Sequence, residues 1–357
     1  MRILHAADLH LDSPFASLSD EKAKLRRQES RLVLRKLAQL ANENDVDAVL
    51  LCGDLFDGAN VYRETVEELT KMLESIRCSV FITPGNHDYY RPRSPYTKML
   101  FPEHVHLFAA PEIRAVALEG CVIYGGAFWE EQEPEGFLQG FRAFDDDRLQ
   151  IMCIHGDLTG GPYNPITKQQ IAQSGLDYLA LGHIHACSGL QREGKTFYAY
   201  PGCSEGRGFD ETGEKGCLLL DVEKGSVKAK FVPLCTRRYE ICTVDITEKD
   251  VRQAVEAALA DYRVQDVIRL VLTGERETPV AVSQLEQLYR ERFFGFEAVD
   301  QTRKSEDIWS RAGEDSLRGL FLQNLKERYD AAQTDAERET ILMAAKVGLA
   351  AMDNREL

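Results

Sequence analysis

The chain has 357 residues, 44% hydrophobic and 28% charged, a composition that excludes disorder over most of its length and suits about two to three domains. Its 43 basic residues stand against 58 acidic ones, a formal net charge of −15, which argues against a stand-alone nucleic-acid binder held by general electrostatics but not against an enzyme that holds phosphate through bound cations. The nine cysteines form no Cys-x-x-Cys pair, so neither a disulfide framework nor a zinc ribbon is expected, and a reducing cytoplasm is the simplest compartment.

No apolar run reaches the roughly 18 residues that would span a bilayer. The opening MRILHAADLH has no apolar core followed by a small-residue cleavage site, so it reads as a first strand and not as a signal peptide. A helix is expected over 21–44, with Leu32, Leu34, Leu37 and Leu40 available for a buried face. Then come the strand DAVLLCGD, a helix through VEELTKMLESI, and the strand SVFITPGNHD. This alternation predicts parallel strands with helical crossovers.

Further strands are expected at VHLFAA, CVIYGGAF, LQIMCIHGD, DYLALGHIH, TFYAYPGC and GCLLLDVEKGSVKAKFVPL, the last turning at Glu223–Lys224–Gly225. So many strands fit two sheets packed face to face. Near residue 236 the pattern changes to a small α+β module, with a helix starting around Thr247 and Asp250. The polar stretch TRKSEDIWSRAGED reads as a linker. Two amphipathic helices follow, the first with Leu317, Leu320, Phe321 and Leu325 on one face, the second capped by Thr334 and Glu337. The expected divisions are 1–235, 236–301 and 302–357. From residue 236 onward there are 18 basic and 24 acidic residues, so no division is a basic one.

Five motifs stand at the ends of expected strands: Asp8-Leu9-His10, Gly53-Asp54, Gly85-Asn86-His87-Asp88, His155-Gly156-Asp157 and Gly182-His183-Ile184-His185. Carboxyl ends of strands are where α/β sheets place ligand sites. Five of the eight histidines lie in these motifs. Singly, each motif reads as a turn, a cap or a hydrogen-bonded structural histidine; five in this order do not. Two divalent ions about 3.5–4 Å apart can activate water and stabilise an in-line phosphoryl transition state. Such a pair needs a bridging carboxylate, neutral imidazoles and an amide oxygen, a donor set suited to Mn2+, with Fe2+ and Zn2+ as alternatives.

This set, with the flanking text HAADLHLD, LLCGDLFD, ITPGNHDYY, LALGHIH and YPGCSEGRGFDETGEKG, resembles the SbcD and YhaO-type DNA-repair exonucleases, Mre-eleven-like members of the calcineurin-like metallophosphoesterase superfamily. The resemblance is specific over 1–235 and weaker over 236–300, where the module looks like the family's capping domain. It implies an α/β/β/α sandwich with an α+β cap and a helical tail. It implies that Asp8, His10 and His185 bind one metal, that Asn86, His155 and His183 bind a second, and that Asp54 bridges them. A hydroxide held between the ions would attack the phosphodiester. His87, not a ligand, would stabilise developing charge and protonate the leaving oxygen. Asp88 is left open between orienting His87 and capping a turn.

Tyr89, Tyr90, Arg91 and Arg93 follow the catalytic loop, where aromatics beside arginines can hold nucleic acid; a packed loop with solvated arginines is the equal alternative. Gly202, Ser204 and Gly206 are expected at the rim of the site. The basic run Lys22, Lys24, Arg26, Arg27, Arg31, Arg35 and Lys36 reads as a solvated helix face. Cys187 and Cys203 read as small packed residues. The resemblance also implies DNA as substrate, a homodimer, and an SMC-like ATPase partner of the SbcC type docked on the tail, against which stands plain packing of the tail on the cap. Two other functions stay open: a metallophosphoesterase for small phosphate esters or cyclic nucleotides, and a non-catalytic scaffold stabilised by its metals.

Overall fold

Short apolar strands separated by amphipathic helices govern the first third of the chain. In the computed structural model, which describes residues 1–304 and 308–352, these are β1 (Arg2–Ala6), α1 (Asp20–Glu43), β2 (Ala48–Cys52), α2 (Arg63–Ser75) and β3 (Ser79–Thr83). The three strands pair in parallel, as the alternation predicts. Then follow β4 (Val105–Leu107), β5 (Arg114–Leu118), β6 (Cys121–Gly125), β7 (Leu149–His155), α3 (Lys168–Gln173), β8 (Tyr178–Gly182), β9 (Gln191–Glu193), β10 (Thr196–Ala199), β11 (Gly216–Glu223) and β12 (Ser226–Pro233).

These strands form two six-stranded mixed sheets, ordered β12-β11-β1-β2-β3-β4 and β5-β6-β7-β8-β10-β9. The period-two alternation of each strand sorts its side chains into layers. On one face of the first sheet, Leu4, Val49 and Ile82 pack against Val33, Leu34 and Leu37 of α1 and Leu69 of α2. On the other, Ile3, Leu50 and Phe81 meet Ile123, Ile151 and Tyr178 of the second sheet. Met152, Ile154 and Leu181 on the far side of that sheet cover Ile171 of α3. The order is helix, sheet, sheet, helix. Each fully buried Leu or Ile contributes roughly 1.5–3 kcal/mol.

Three local expectations in this part of the chain need correction. Leu32 is 42% exposed and Val33 takes its place in the core, because the buried face of α1 runs Val33, Leu34, Leu37, Ala38, Ala41, and Leu32 sits about 100° off it. The basic run is not one solvated face, since Arg26 is completely buried between Glu29 and Glu205 at 2.7 and 2.9 Å. β5, β9 and α3 were not expected; β5 is a half-exposed edge strand and α3 a single short turn held by a Thr167–Gln170 capping box. The hairpin forms as expected, with Glu223 opposite Ser226 and Gly225 at φ 72°.

After residue 236 come β13 (Tyr239–Asp245), α4 (Val251–Ala258), β14 (Val267–Thr273), α5 (Val282–Tyr289), β15 (Gly295–Asp300), α6 (Leu317–Ala331) and α7 (Asp335–Met352). The three strands form a sheet in the order β13-β14-β15. Asp250, not Thr247, caps α4, accepting from the Gln253 N–H at 2.8 Å. The Thr334–Glu337 capping box of α7 is present. The apolar stripe of α6 is displaced: Leu317 and Leu320 are 77% and 63% exposed, while Gly319 and Leu322 are buried and Phe321 covers Gly348. Residues 305–307 of the expected linker and 353–357 of the tail lie outside the described residues.

The chain divides into two compact units: Met1–Cys242 with Tyr262–Arg269 and Gln287–Glu297, and Thr243–Asp261 with Leu270–Glu286 and Ala298–Leu357. Among the described residues no helix is long and apolar enough to cross a membrane.

Candidate metal centre

The five motifs leave the carboxyl ends of β1, β2, β3, β7 and β8, so strand direction alone aims them at one end of the sandwich. The backbone at this end is costly. Asp8, His10, Asp54 and His183 have φ of 52°, 41°, 51° and 113°, a region that costs side-chain-bearing residues of order 1–3 kcal/mol each and that clusters at functional sites. Two glycines permit the close approach. A Cβ on Gly85 would lie 2.2 Å from Asp54 Oδ1, and one on Gly182 would lie 1.7 Å from the Cys52 carbonyl oxygen.

The ligating atoms of Asp8, His10 and His185 lie within 4.8 Å of one another, as do those of Asp8, Asp54 and His155, and those of His10, Asp54 and His87. Asn86 and His183 join through the Asn86 Oδ1, which lies 2.9 Å from His155 Nε2 and 3.2 Å from His183 Nδ1. The structure therefore brings together all eight ligand and catalytic residues expected from the sequence.

Hydrogen-bond partners fix which imidazole nitrogens face inward. His155 Nδ1 donates to the Cys52 carbonyl at 3.0 Å. Its Nε2 lone pair then faces Asn86 Oδ1 at 2.9 Å and Asp54 Oδ2 at 3.4 Å. Burial lowers the His155 imidazole to about 4, so it is neutral. Three electron-pair donors thus converge with no proton among them, which is what a cation requires. His10 Nδ1 donates to Asp57 and His185 Nδ1 donates to Glu211, at 3.0 and 2.7 Å, which turns their Nε2 atoms toward each other at 3.1 Å. Either a proton or a cation must sit between them. Burial opposes charge on His185, but its hydrogen bond to Glu211 and the nearby Asp8 raise its pKa overall, which favours a proton in that gap. A divalent ion would displace it.

The carboxylates agree with this reading. Burial pushes Asp8 up to about 8, a cost that a bound cation would remove. Burial acts likewise on Asp54, but the imidazoles of His155, His10 and His87 outweigh it and hold that carboxyl below its usual value. The donor set of buried carboxylates, neutral imidazoles and one amide oxygen fits a pair of divalent cations.

His87 is exposed, with its N–H donating to Asp54 Oδ1 at 2.9 Å and its ring 4.8 Å from that of His10. Asp88 is a cap: it accepts from the N–H groups of Gly85 and Phe56 and from Tyr96 Oη, at 2.7, 3.2 and 2.5 Å, leaving the open choice decided against orienting His87. Arg91 lies over the Tyr89 ring and donates to its hydroxyl at 2.6 Å. Ser204 is 1% exposed, so the loop around it is packed. Cys203 is buried, its N–H donating to the His185 carbonyl, and Cys187 is exposed.

Sequence reasoning missed Asp57, Glu211 and Arg207. Asp57 and Glu211 each orient one imidazole. Arg207 donates to both acids, reaching Asp57 Oδ1 at 2.9 Å and Glu211 Oε1 at 2.8 Å. The only trace in the sequence is their presence in GDLFD and GRGFDE, beside the motifs already singled out.

Comparison with known proteins agrees with this geometry. The chain is 35% identical over 296 residues to an uncharacterized metallophosphoesterase, YhaO, of Bacillus subtilis, covering 77% of this chain and 72% of that one. It is 21% identical over 326 residues to the SbcD component of nuclease SbcCD of Staphylococcus epidermidis, covering 81% and 83%. It is 26% identical over 238 residues to the DNA double-strand break repair protein Mre11 of Aeropyrum pernix, covering 61% and 57%. The calcineurin-like phosphoesterase family matches residues 1–187, the stretch that carries every motif from Asp8 to His185. With strand order, ligand convergence and sequence match in accord, this chain belongs to the calcineurin-like phosphoesterases.

Proposed function

We propose that this metallophosphoesterase is a two-cation DNA phosphodiesterase, an exonuclease with endonuclease activity, working in DNA repair. Asp8, His10 and His185 hold one cation, Asn86, His155 and His183 the other, and Asp54 both. The ion pair, in our reading Mn2+, supplies Lewis acidity and lowers the pKa of a bound water. The residues do the rest. Asp54 keeps the two ligand sets in register. His87 stands exposed beside them, where its imidazole faces a phosphodiester, stabilises the charge that develops and gives a proton to the leaving oxygen. Tyr89 and Arg91 offer a stacking face and a phosphate contact on the rim.

The observation that carries the reading is the meeting of unprotonated donors at His155, Asn86 and Asp54. DNA is supported by the names of the SbcCD nuclease and Mre11 relatives. The name of the SbcCD relative supports a partner of the SbcC type; that this partner is an ATPase, and that the chain is a homodimer, rest on the family resemblance. The net charge of −15 favours a second reading, hydrolysis of small phosphate esters.

The test is cleavage of labelled single- and double-stranded DNA with Mn2+, beside turnover of a small phosphodiester, for wild type and His87→Ala. DNA degradation that needs both the metal and His87 is expected. Ester turnover with intact DNA would transfer the site to the second reading.

A further inference from the structure

The two cation sites are backed differently. His155 is oriented by a main-chain oxygen, the Cys52 carbonyl. His10 and His185 are each oriented by a carboxylate, Asp57 and Glu211. Those two carboxylates come from distant segments and share one counter-charge. Arg207 sends Nη1 to Asp57 Oδ1 at 2.9 Å and Nη2 to Glu211 Oε1 at 2.8 Å, while its own N–H closes on Glu211 Oε2 at 2.7 Å. A planar guanidinium can fork between two acids in this way; an ammonium cannot.

We infer that Arg207 is a positioning residue that sets the affinity of the first cation alone, by clamping Asp57 and Glu211 onto the two imidazoles, His10 and His185, that face that ion. The inference rests on the two-cation reading of the site. Without the guanidinium the two acids repel each other and are free to leave their imidazoles. The ligands then lose orientation and basicity, an effect that for such outer partners is typically 10–100-fold in metal affinity. The second set keeps its main-chain support and its affinity. The polar contacts of the Arg207 side chain run to Asp57, Glu211 and His185, all on the side of the first ion, so the two sites separate experimentally.

The experiment titrates the metal-free full chain with Mn2+, following heat and the electron paramagnetic resonance signal, for wild type, Arg207→Gln, Arg207→Lys and Glu211→Gln. Wild type is expected to take up two ions and give the signal of a spin-coupled pair. Arg207→Gln is expected to bind one ion with wild-type affinity and the other about 10–100-fold more weakly, giving an isolated-ion signal at one equivalent. Arg207→Lys should fall between, since it restores charge without the fork. Glu211→Gln keeps an acceptor oxygen for His185 but breaks the clamp, so it should copy Arg207→Gln and decides the matter if the arginine variants fail to fold. Two ions bound with unchanged affinity in the folded variants, or equal weakening of both, would overturn the clamp while leaving the two-cation reading intact. A wild-type chain that takes up no Mn2+ would overturn both.

Discussion

His87 differs from the other four motif histidines in being exposed, while His10 and His155 are buried and His183 and His185 half-buried. On the proposed reading its contribution is to the reaction and not to assembly of the site, so His87→Ala should lower phosphodiester cleavage by about 10²–10⁴-fold, while Mn2+ titration still finds two ions. A second histidine makes a different prediction. His5 is fully buried, accepting from Tyr178 Oη at 2.9 Å and donating to the Leu181 carbonyl at 3.1 Å, and burial lowers it to about 3. The unfolded chain protonates this residue near 6.5 and the folded chain only near 3, so the unfolded state binds more protons between those values. Stability therefore falls as pH drops from 6.5 toward 3 and is unaffected by this group above that window. By pH 5 the loss is about 2 kcal/mol. Urea unfolding at pH 7 and pH 5 should show that much less pH dependence in His5→Gln than in wild type. At this scale the sequence was legible wherever a residue's type announced its chemistry: Asp, His and Asn at strand ends. It was silent on Asp57, Glu211 and Arg207, because an acid that orients an imidazole has the same letter as one that faces water. Arg26 was misread for the same reason, since the partners that let a charge be buried lie as far away as residue 205.

Elements were legible where periodicity was strong. The parallel trio β1, β2 and β3 followed from alternating strands and helices, and the α7 cap from a local Thr-x-x-Glu pattern. Side-chain facing within a helix was harder. A row of leucines in α1 offered two overlapping faces, and only the packing partners in the sheet select the one holding Leu34 and Leu37. Replacing Leu37 with Ala should cost about 2–5 kcal/mol, and replacing Leu32, 42% exposed, under about 0.5 kcal/mol, both read from urea unfolding. In α6 the buried residues are Gly319 and Leu322, so the exposed Leu317 and Leu320 pointed to the wrong side. The weakly patterned β5 and β9 gave no signal of their own, because edge strands are held by their neighbours.

For the molecule as a whole, the fold class was legible because so many strands have only face-to-face sheets as a solution. Net charge matters here. On the proposed reading, a chain whose 43 basic residues are outnumbered by 58 acidic ones has no net attraction for DNA phosphates, so most of the attraction would come from the metal centre. Binding to DNA should then weaken only modestly with salt, with few counterions released, and should collapse when a chelator removes the cations; titrations at several salt concentrations, with and without chelator, check this. On the same reading the cations bind only the folded chain, where their ligands meet. Free Mn2+ at about 100 times its dissociation constant should add about 2.7 kcal/mol per site to stability, visible as a higher melting temperature that the chelator reverses.

The expected ligands span positions 8 to 185, one or two from each of five strand ends. No fragment shorter than residues 8–185 carries the set. During synthesis, a chain that has emerged only through β7 holds Asp8, His10, Asp54, Asn86 and His155 but lacks His183 and His185. On the proposed reading, ion capture therefore waits until His185 has emerged, and a truncated product that ends before β8 lacks a complete ligand set.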